Sequence, residues 1–486
     1  MKKTLIYIIT AVSLIACSND LESLNENIKD PSNVPGEALF TSAEKSLVDQ
    51  MINTNVNNNI FRLINQHWTE TVYTDESNYD LVTRTIPEQH WQFLYKDVLK
   101  DLDQSAININ NTVVPVTENP LDKANKLAII EVLNVYTYAV LVETFGNVPY
   151  TEALNLKYKN PKYDDGLTIY KDLISRLNIA ISKLNNGGGS FGENDKIYKG
   201  DVNKWIKFAN TLKLRMGIVI SDIPSETALA KATVSAAAPF VFTTNADNAS
   251  IKYLTASPNT NPLYIDLVAS GRSDFVPANT LVDYMNTTND PRRSKYFDDN
   301  KDDPSTPGVE YVGGVYGASN SFPNLTHITP TIQAPDYPGT ILDYSETEFL
   351  LAEAAERSFI ESPATAETHY NAAITASILN WGGTSAEATA YLSQTDIAYT
   401  TAIGTWKEKI GIQSWVALYN NGFEGWTSWR RLDFPVLIPY KDAVSGIPVR
   451  LTYPIIEQTL NKSNYTSASS AIGSDAVETK LFWDKF

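Results

Sequence analysis

The chain has 486 residues, of which 43% are hydrophobic and 20% are charged, so it has the composition of a packed globular protein rather than of a disordered or collagen-like one. Its formal net charge of −17 repels a phosphate backbone, which argues against a nucleic-acid partner. The length permits two or three domains, and one extended helical domain fits it equally well.

The N-terminal residues have the pattern of a bacterial lipoprotein signal. Met1-Lys2-Lys3 is a short basic segment, and the apolar stretch Thr4–Ile15 is too short to span a bilayer core of about 30 Å comfortably. It ends in Leu14-Ile15-Ala16-Cys17, the pattern of a lipobox. We therefore predict a signal peptide over residues 1–16 and a lipid anchor on Cys17, the single cysteine of the chain.

The residues after Cys17 predict a tether. Residues 17–36 are polar and include Asp20, Glu22 and Glu26, a composition typical of a flexible lipidated linker. Acidic residues directly after a lipidated cysteine resemble the surface-export signal of Bacteroidota lipoproteins. Because a single cysteine cannot form an intramolecular disulfide, the body over residues 37–486, taken here as a single domain, must rest on packing.

The hydrophobic pattern of the body predicts a mainly α-helical fold. Trp205, Phe208, Leu212, Met216 and Val219 recur at helical spacing and predict an amphipathic helix. Other helices are predicted over Ala38–Met51, Gln89–Ile107, Leu121–Phe145, Thr168–Leu184, Asp343–Ser358, Ala366–Trp381 and Thr395–Asn420. The last but one of these resembles a tetratricopeptide helix, although no clean repeat period supports that reading.

Long segments rich in Pro, Gly and Asn separate the helices. They cover residues 185–200, 242–261 and 298–337, and loops of this length are often functional. A few short strands are predicted around Val241-Phe242, Ala249–Tyr253 and Val449–Tyr453.

Five segments together carry a family resemblance. They are Glu143–Tyr150, Gly200-Asp201 with Lys204–Arg215, Glu348–Ala355 with Trp381-Gly382, Gln413–Arg431, and Pro448–Asn461. In this order, and with a lipobox before them, they resemble the SusD/RagB family of glycan-binding outer-membrane lipoproteins. The second segment is the most specific, whereas Gly425 stands in the fourth where many members have alanine between Glu and Trp.

The resemblance implies a SusD-like helical fold with tetratricopeptide-like helix pairs, long irregular loops and few short strands. It also implies a lid-like position over a TonB-dependent barrel of the SusC type at the cell surface, and capture of a glycan before import. The segments themselves are expected to be framework: Trp205, Phe208 and Trp415 as core, and Arg215, Arg430 and Arg431 as buried partners of carboxylates or carbonyls. We also assign Arg272, Asp274 and Asp290-Pro291-Arg292 to the framework.

Two segments contain the side chains that a glycan site needs, namely flat aromatic rings for the apolar face of a sugar and polar groups for its hydroxyls. The first supplies the candidates Trp68, Tyr73, Asp75, Asn78, Tyr79 and Arg84. The second is rich in Gly and Ser and supplies Tyr264, Tyr311, Tyr316 and Phe322. The alternative for the aromatic residues of both segments is packing inside the protein, which is common for aromatic side chains.

No catalytic or metal-binding constellation is predicted. The 4 His residues form no HExxH motif, no serine lies in a G-x-S-x-G turn, and some pair among 56 acidic residues is always available. Asp298, Asn300 and Asp302 faintly resemble a calcium loop, but Asp303 and Val309 stand where Gly and Glu are required, so a solvated acidic turn is favoured. We expect no cofactor.

The sequence thus predicts a non-enzymatic surface lipoprotein that binds a glycan and passes it to a SusC-like transporter. The abundance of Tyr and Asn without a basic groove favours a neutral glycan. An oligopeptide carrier of the same fold, a surface glycoside hydrolase and a scaffold without a small ligand remain alternatives.

Overall fold

The computed structural model describes residues 34–113, 119–299, 310–361 and 364–486. The predicted signal peptide, Cys17 and almost all of the predicted tether lie outside the described residues. So does most of the acidic turn that begins at Asp298.

Helices dominate the body, as predicted. The longer ones are α1 Gly36–Ile52, α2 Lys100–Asn111, α3 Pro120–Phe145, α4 Gly166–Lys183, α5 Val202–Val219, α6 Thr227–Ala237, α7 Asn279–Thr287, α8 Tyr344–Glu356, α9 Ala366–Asn380, α10 Ser385–Leu392, α11 Trp406–Ala417, α12 Gly422–Leu432 and α13 Lys462–Ala471. Short helical turns cover Phe61–Ile64, Ile86–Gln92, Pro262–Tyr264, Arg293–Tyr296 and Ile455–Leu460. Two π-helical segments, Phe93–Leu99 and Ile265–Ala269, follow the second and third of these turns.

Side-chain caps decide where several helices begin. Asp201 accepts hydrogen bonds from the backbone of Asn203 and Lys204 at the start of α5. Asp343 caps α8 in the same way, and Thr384 forms a capping box at the start of α10. Each such cap satisfies amides that the first turn leaves unpaired, and it stabilises a helix by about 1 kcal/mol.

The predicted helix over Thr395–Asn420 is wrong. The structure has α10 before it and α11 inside it, and α11 begins only at Trp406 because Thr405 caps it. Gly404, at φ +108°, ends the preceding turns. The sequence pattern did not predict α6, α7, α10, α12 or α13.

Short antiparallel strands tie distant segments together. Within the described residues they pair as β1 Trp68–Glu70 with β5 Phe275–Pro277, β2 Val148–Pro149 with β3 Tyr163–Asp164, β4 Ala249–Ile251 with β8 Gly339–Leu342, and β6 Phe297–Asp298 with β7 His327–Ile328. The strand predicted near Ala249 is confirmed. Residues 241–242 and 449–453 form no strand, so those two predictions are wrong.

Consecutive helices pack against each other in pairs, most extensively α8 with α9, α3 with α4 and α5 with α6. These pairs agree with the predicted tetratricopeptide-like architecture. Helix α3 is long and apolar enough to cross a membrane, but 83% of its most apolar window is buried in the fold. It is therefore a core helix of the fold.

The three aromatic residues and three arginines expected as framework are confirmed as core residues and as buried partners of carboxylates or carbonyls. Trp205, Phe208 and Trp415 are buried. Arg215 lies between two carboxylates: its Nε is 2.7 Å from Glu346 and its Nη1 is 2.8 Å from Glu424.

The other two framework arginines follow the same rule. Arg431 pairs with Glu353, and Arg430 donates hydrogen bonds to the carbonyls of Glu143 (2.6 Å) and Val449 (3.0 Å). Buried charge is thus either neutralised or hydrogen-bonded, as burial requires.

Candidate functional site

Four irregular segments meet on one surface, which we call the loop face. They are residues 71–84, 270–275, 315–328 and 436–447. Backbone hydrogen bonds join the first three: Thr71 N donates to Asp274 O (2.9 Å), and Asn320 N donates to Thr71 O (2.7 Å). The fourth segment joins through Val444 N, which donates to Asn78 O (3.0 Å). Residues far apart in sequence are thereby held at one surface.

Strand β1 supplies the rigid base of this surface. Trp68 on β1 is fully buried, its indole N–H donates to the hydroxyl of Tyr419 (2.9 Å), and the Arg62 guanidinium lies 5.1 Å from its ring centre. The strand ends at Glu70, and the first exposed residues of the loop follow directly. The structure therefore corrects the assignment of Trp68 as a ligand residue, because its ring is enclosed by the core.

The loop face exposes an unusual concentration of large apolar side chains. These are Val72, Tyr73, Val82, Val315, Val436, Ile438 and Val444. Contiguous exposed apolar surface commonly marks a binding site on a soluble protein. The loop face is thus distinguished by its side chains as well as by its convergent loops.

Tyr73 is the most accessible of the predicted aromatic residues. Its side chain is 60% exposed, and the guanidinium of Arg272 lies 5.9 Å from its ring centre. Arg272 is held by Asp274, with Nη2 3.1 Å from Oδ1. An exposed ring, a guanidinium and a carboxylate therefore lie side by side, so Arg272 and Asp274, which were assigned to the framework, lie at the surface rather than in the core.

A small pocket lies next to this group. It encloses about 70 Å³ and is lined by Arg272, Asp274, Phe322, His327 and Gln333, among others. Phe322 is half-buried and stacks on His327, with ring centres 4.0 Å apart and ring planes 15° from parallel. Phe322, a candidate from the second segment, therefore lies beside Arg272 near Tyr73 of the first, whereas His327 had not been singled out.

Three other predicted tyrosines are buried. Tyr79 and Tyr316 pack together beneath the loops, with ring centres 6.2 Å apart, and the Tyr316 hydroxyl donates to the carbonyl of Leu63 (2.8 Å). Tyr311 is 4% exposed and faces the guanidinium of Arg293. These rings shape the site from below, and their burial corrects the expectation that they contact a ligand.

The polar candidates of residues 71–84 likewise include side chains held inside the protein and a side chain that is exposed. The Asn78 amide is buried and donates to the carbonyls of Thr74 (2.7 Å) and Gly317 (2.8 Å), so it fastens two loops together. Arg84 forms an ion pair with the buried Glu76. Only Asp75 has an exposed side chain.

A carboxyl group stiffens the base of the same loop. Burial and the neighbouring Glu76 carboxylate raise the pKa of Glu70 to about 9, so Glu70 is protonated at neutral pH. Its carboxyl accepts hydrogen bonds from the backbone N–H (2.8 Å) and the hydroxyl (2.9 Å) of Ser77. The loop is thereby closed on itself before it reaches the surface.

Tyr264 lies away from the pocket, in the turn Pro262–Tyr264, where it is half-buried. The segment that contains it continues through Ile265–Ala269 to Arg272, and so runs along the edge of the loop face.

Three of the four histidines have side chains in the core or on another part of the molecule. The described residues contain no cluster of three or more His, Cys, Asp or Glu side chains that could hold a metal ion. Burial lowers the pKa of His67 and of His90 to about 3, which keeps both imidazoles neutral inside the core. His369 pairs with Glu348 at 2.7 Å on another part of the molecule.

Comparison with known proteins places this surface in context. Residues 28–454 match the model of a SusD-like family described as starch-binding and associating with the outer membrane. A solved chitin-binding protein is 26% identical, with a TM-score of 0.79, over 93% of this chain and 100% of its own. A SusD homologue from Bacteroides uniformis is 25% identical, with a TM-score of 0.76, over 92% of this chain and 99% of its own.

A chitin-binding SusD homologue from Flavobacterium johnsoniae shares the fold at 22% identity, with a TM-score of 0.77, over 93% of this chain and 98% of its own. The sequence matches no curated protein.

Proposed function

This chain belongs to the SusD-like family of starch-binding proteins that associate with the outer membrane, and from that membership we propose that it captures a glycan at the cell surface, leaves it chemically intact, and delivers it to a SusC-like TonB-dependent transporter. The observation that carries the proposal is the exposed Tyr73 ring beside the Arg272–Asp274 pair on the loop face.

The side chains of this group match the two kinds of surface that a sugar presents. A pyranose has an apolar C–H face that stacks on an aromatic ring, and a rim of hydroxyls that both donate and accept hydrogen bonds. Tyr73 and Phe322 supply aromatic surface, Arg272 supplies donors, and Asp274 supplies acceptors. The apolar side chains around them exclude water from the contact.

A neutral glycan fits the local charge. Arg272 is compensated by Asp274 only two residues away, so the group carries no net positive charge. The chain as a whole has a formal net charge of −17, which disfavours uronic and sulfated ligands.

Binding and delivery can be tested separately. The body from residue 18 onward is titrated calorimetrically with malto-oligosaccharides, chito-oligosaccharides, acidic oligosaccharides and a peptide mixture, and each mixture is then chromatographed. We expect saturable binding of one neutral class with the ligand recovered intact. Shortened products would mean a hydrolase, binding of peptides alone would mean an oligopeptide carrier, and no binding would overturn the proposal.

Tyr73→Ala tests the location of the site. Loss of an aromatic stacking contact worth about 1 kcal/mol should weaken binding roughly fivefold. Tyr158→Ala is the matched control, because Tyr158 is also exposed but lies outside the loop face. Equal affinities of Tyr73→Ala and the unaltered protein would place the site elsewhere.

We further propose that lipid on Cys17 attaches the protein to the outer membrane with its body exposed outside the cell. Several acyl chains on one cysteine anchor firmly, at about 0.8 kcal/mol per buried methylene. Cys17→Ala should therefore move the protein from the membrane to the soluble fraction, and Ser18→Ala should not. Membrane retention of Cys17→Ala would contradict the anchor, and co-purification of the transporter with the unaltered protein tests delivery.

A further inference from the structure

A second cleft, which we call the amide cleft, lies beside the segment 262–274. It encloses about 280 Å³, close to the lower limit of typical ligand sites at about 300 Å³. The end of α1 and the turn after it form one wall, with Gln50, Asn53, Asn55 and Asn58. Phe93 and the stretch from Pro262 to Asp266 form the other.

Both π-helical segments of the described residues begin at this cleft. Phe93 is the first residue of one, and Ile265 is the first residue of the other. A π turn is rare, and it is found frequently at functional sites. The two segments are distant in sequence, so their meeting at one cleft indicates that its walls are shaped for a purpose other than core packing.

The amide side chains of the cleft are held in fixed orientations. Gln50 Nε2 donates to the carbonyl of Asn58 (3.0 Å) and contacts Nδ1 of the buried His90 (2.8 Å). Asn53 donates to the carbonyl of Gln50 (3.1 Å) and accepts from the backbone N–H of Asn55 (2.9 Å). Side chains fixed in this way lose little conformational entropy when a ligand binds.

One hydrogen-bond acceptor in this wall has no donor among the described residues. The Oδ1 atom of Asn58 is buried and accepts no hydrogen bond from the described residues. A buried acceptor without a partner costs about 1–3 kcal/mol, and a rotation of the Asn58 amide towards the cleft, which this residue lines, would let a ligand hydroxyl remove that cost.

The opposite wall is partly apolar and partly acidic. Phe93 is half-buried and offers an aromatic surface. Burial raises the pKa of the Asp266 carboxyl to about 6, against a hydrogen bond from the Thr54 backbone, so at pH 7 this group is mostly ionised and can accept hydrogen bonds from sugar hydroxyls. Asp49 at the edge is already engaged by Lys45 and by the Tyr253 hydroxyl.

We propose that the amide cleft is a second saccharide subsite, which binds a neutral sugar unit through its fixed amides and the Phe93 ring. The proposal rests on the proposed glycan-binding function and extends it to a second place on the molecule. The described residues that line the cleft form no cluster of three or more His, Cys, Asp or Glu side chains that could hold a metal ion.

The position of the cleft relates the two sites. Ile265 and Asp266 line the amide cleft, whereas Leu267 and Arg272 line the pocket of the loop face. The same segment therefore separates the two sites, and a sufficiently long glycan bound at one can reach the other. Simultaneous contact at two linked sites raises affinity through effective concentration, and short ligands gain nothing from it.

The test compares ligands of different length. Full-length protein purified in detergent is titrated with malto-oligosaccharides of increasing length and with chito-oligosaccharides of increasing length. Asn58→Ala and Phe93→Ala should weaken binding of the long ligands about five- to tenfold and leave binding of the short ones unchanged. Tyr73→Ala should weaken binding of both.

Two controls separate ligand binding from folding. Phe240→Ala removes an exposed ring elsewhere and should bind like the unaltered protein. Asn58→Ala removes a costly unpaired acceptor, so its melting temperature should not fall. Phe93→Leu keeps most of the apolar volume if Phe93→Ala unfolds.

The outcomes distinguish this proposal from the proposed function. If no oligosaccharide binds the unaltered protein, the glycan-binding function fails and the subsite fails with it. If glycans bind, Tyr73→Ala weakens them, and Asn58→Ala and Phe93→Leu bind the long ligands normally, the subsite is refuted while the function stands. If only the cleft variants lose affinity, the subsite stands and the loop face is refuted.

Discussion

Replacing Arg215 with methionine is expected to destabilise the protein by about 3–5 kcal/mol, the usual cost of removing one partner from a buried ion pair. Methionine has a similar length but cannot donate hydrogen bonds. The change would leave Glu346 and Glu424 facing each other in the core, where Tyr136 offers Glu424 one hydrogen bond at 3.2 Å. Burial of unpaired charge therefore dominates the loss, because the side-chain volume is nearly conserved.

The loss should depend on pH in a defined direction. Burial raises the pKa of Glu424 well above the 4.5 of an unperturbed glutamate, and Arg215 opposes that rise. Without Arg215 the folded variant retains a proton that the unfolded chain releases above pH 4.5. Because the pKa of Glu424 is higher in the folded variant than in the unfolded chain, the variant is most stable below pH 4.5. Its free energy of unfolding falls as pH rises above that value, by up to about 1.4 kcal/mol per pH unit for each such carboxyl group.

Denaturant unfolding at several pH values, followed by tryptophan fluorescence, measures both effects. Lys204→Met on the same helix is the control, because it also removes a cation but at a partly exposed position. Adding Glu346→Gln and Glu424→Gln to the Arg215 variant should recover part of the loss. A variant within 1 kcal/mol of the unaltered protein at every pH would refute the reasoning.

Acid should destabilise the protein through two buried imidazoles: burial lowers the pKa of His67 and His90 from 6.5 to about 3, so the free energy of unfolding should fall as pH decreases from 6.5 towards 3. In an acid titration, the free energy of unfolding of His90→Gln should fall less steeply than that of the unaltered protein. Equal slopes for the two proteins would contradict this prediction. Gly317→Ala should lower both the melting temperature and glycan affinity, because this residue has φ +74° and an added Cβ would lie 2.4 Å from the Tyr440 side chain. Gly271→Ala, with φ +68° and nothing within 4 Å, measures the backbone strain alone, and equal melting temperatures of the two variants would contradict the clash.

The helices that could be predicted are those with a strong apolar period. Five apolar residues at helical spacing located α5, and its start at Asp201 is a capping position. The helix over Thr395–Asn420 could not be located in this way, because Ile397 and Ile410 belong to the same small core cluster although they lie on different elements. A periodic pattern records which residues are buried together, and it does not record where the chain turns between them.

The site could be located only as far as its segments. Tyr73 and Tyr79 occur in one polar loop with similar neighbours, yet one is 60% and the other 2% exposed. The difference comes from Tyr316, more than two hundred residues away, which covers Tyr79. Arg272–Asp274 and Asp290–Arg292 likewise have the same chemistry, but the second pair is fully buried and the first is at the surface.

Trp68 and Tyr73 lie close together in sequence but differ in burial, and this difference has an evolutionary consequence. Trp68 is bound into the core at the end of β1, whereas Tyr73 and Asp75 stand a few residues later with exposed side chains. Mutations at exposed positions usually change stability by less than about 0.5 kcal/mol, so they are not removed by selection for folding. A lineage that carries this scaffold can therefore exchange the exposed residues of its loops while the residues that build the protein stay as they are.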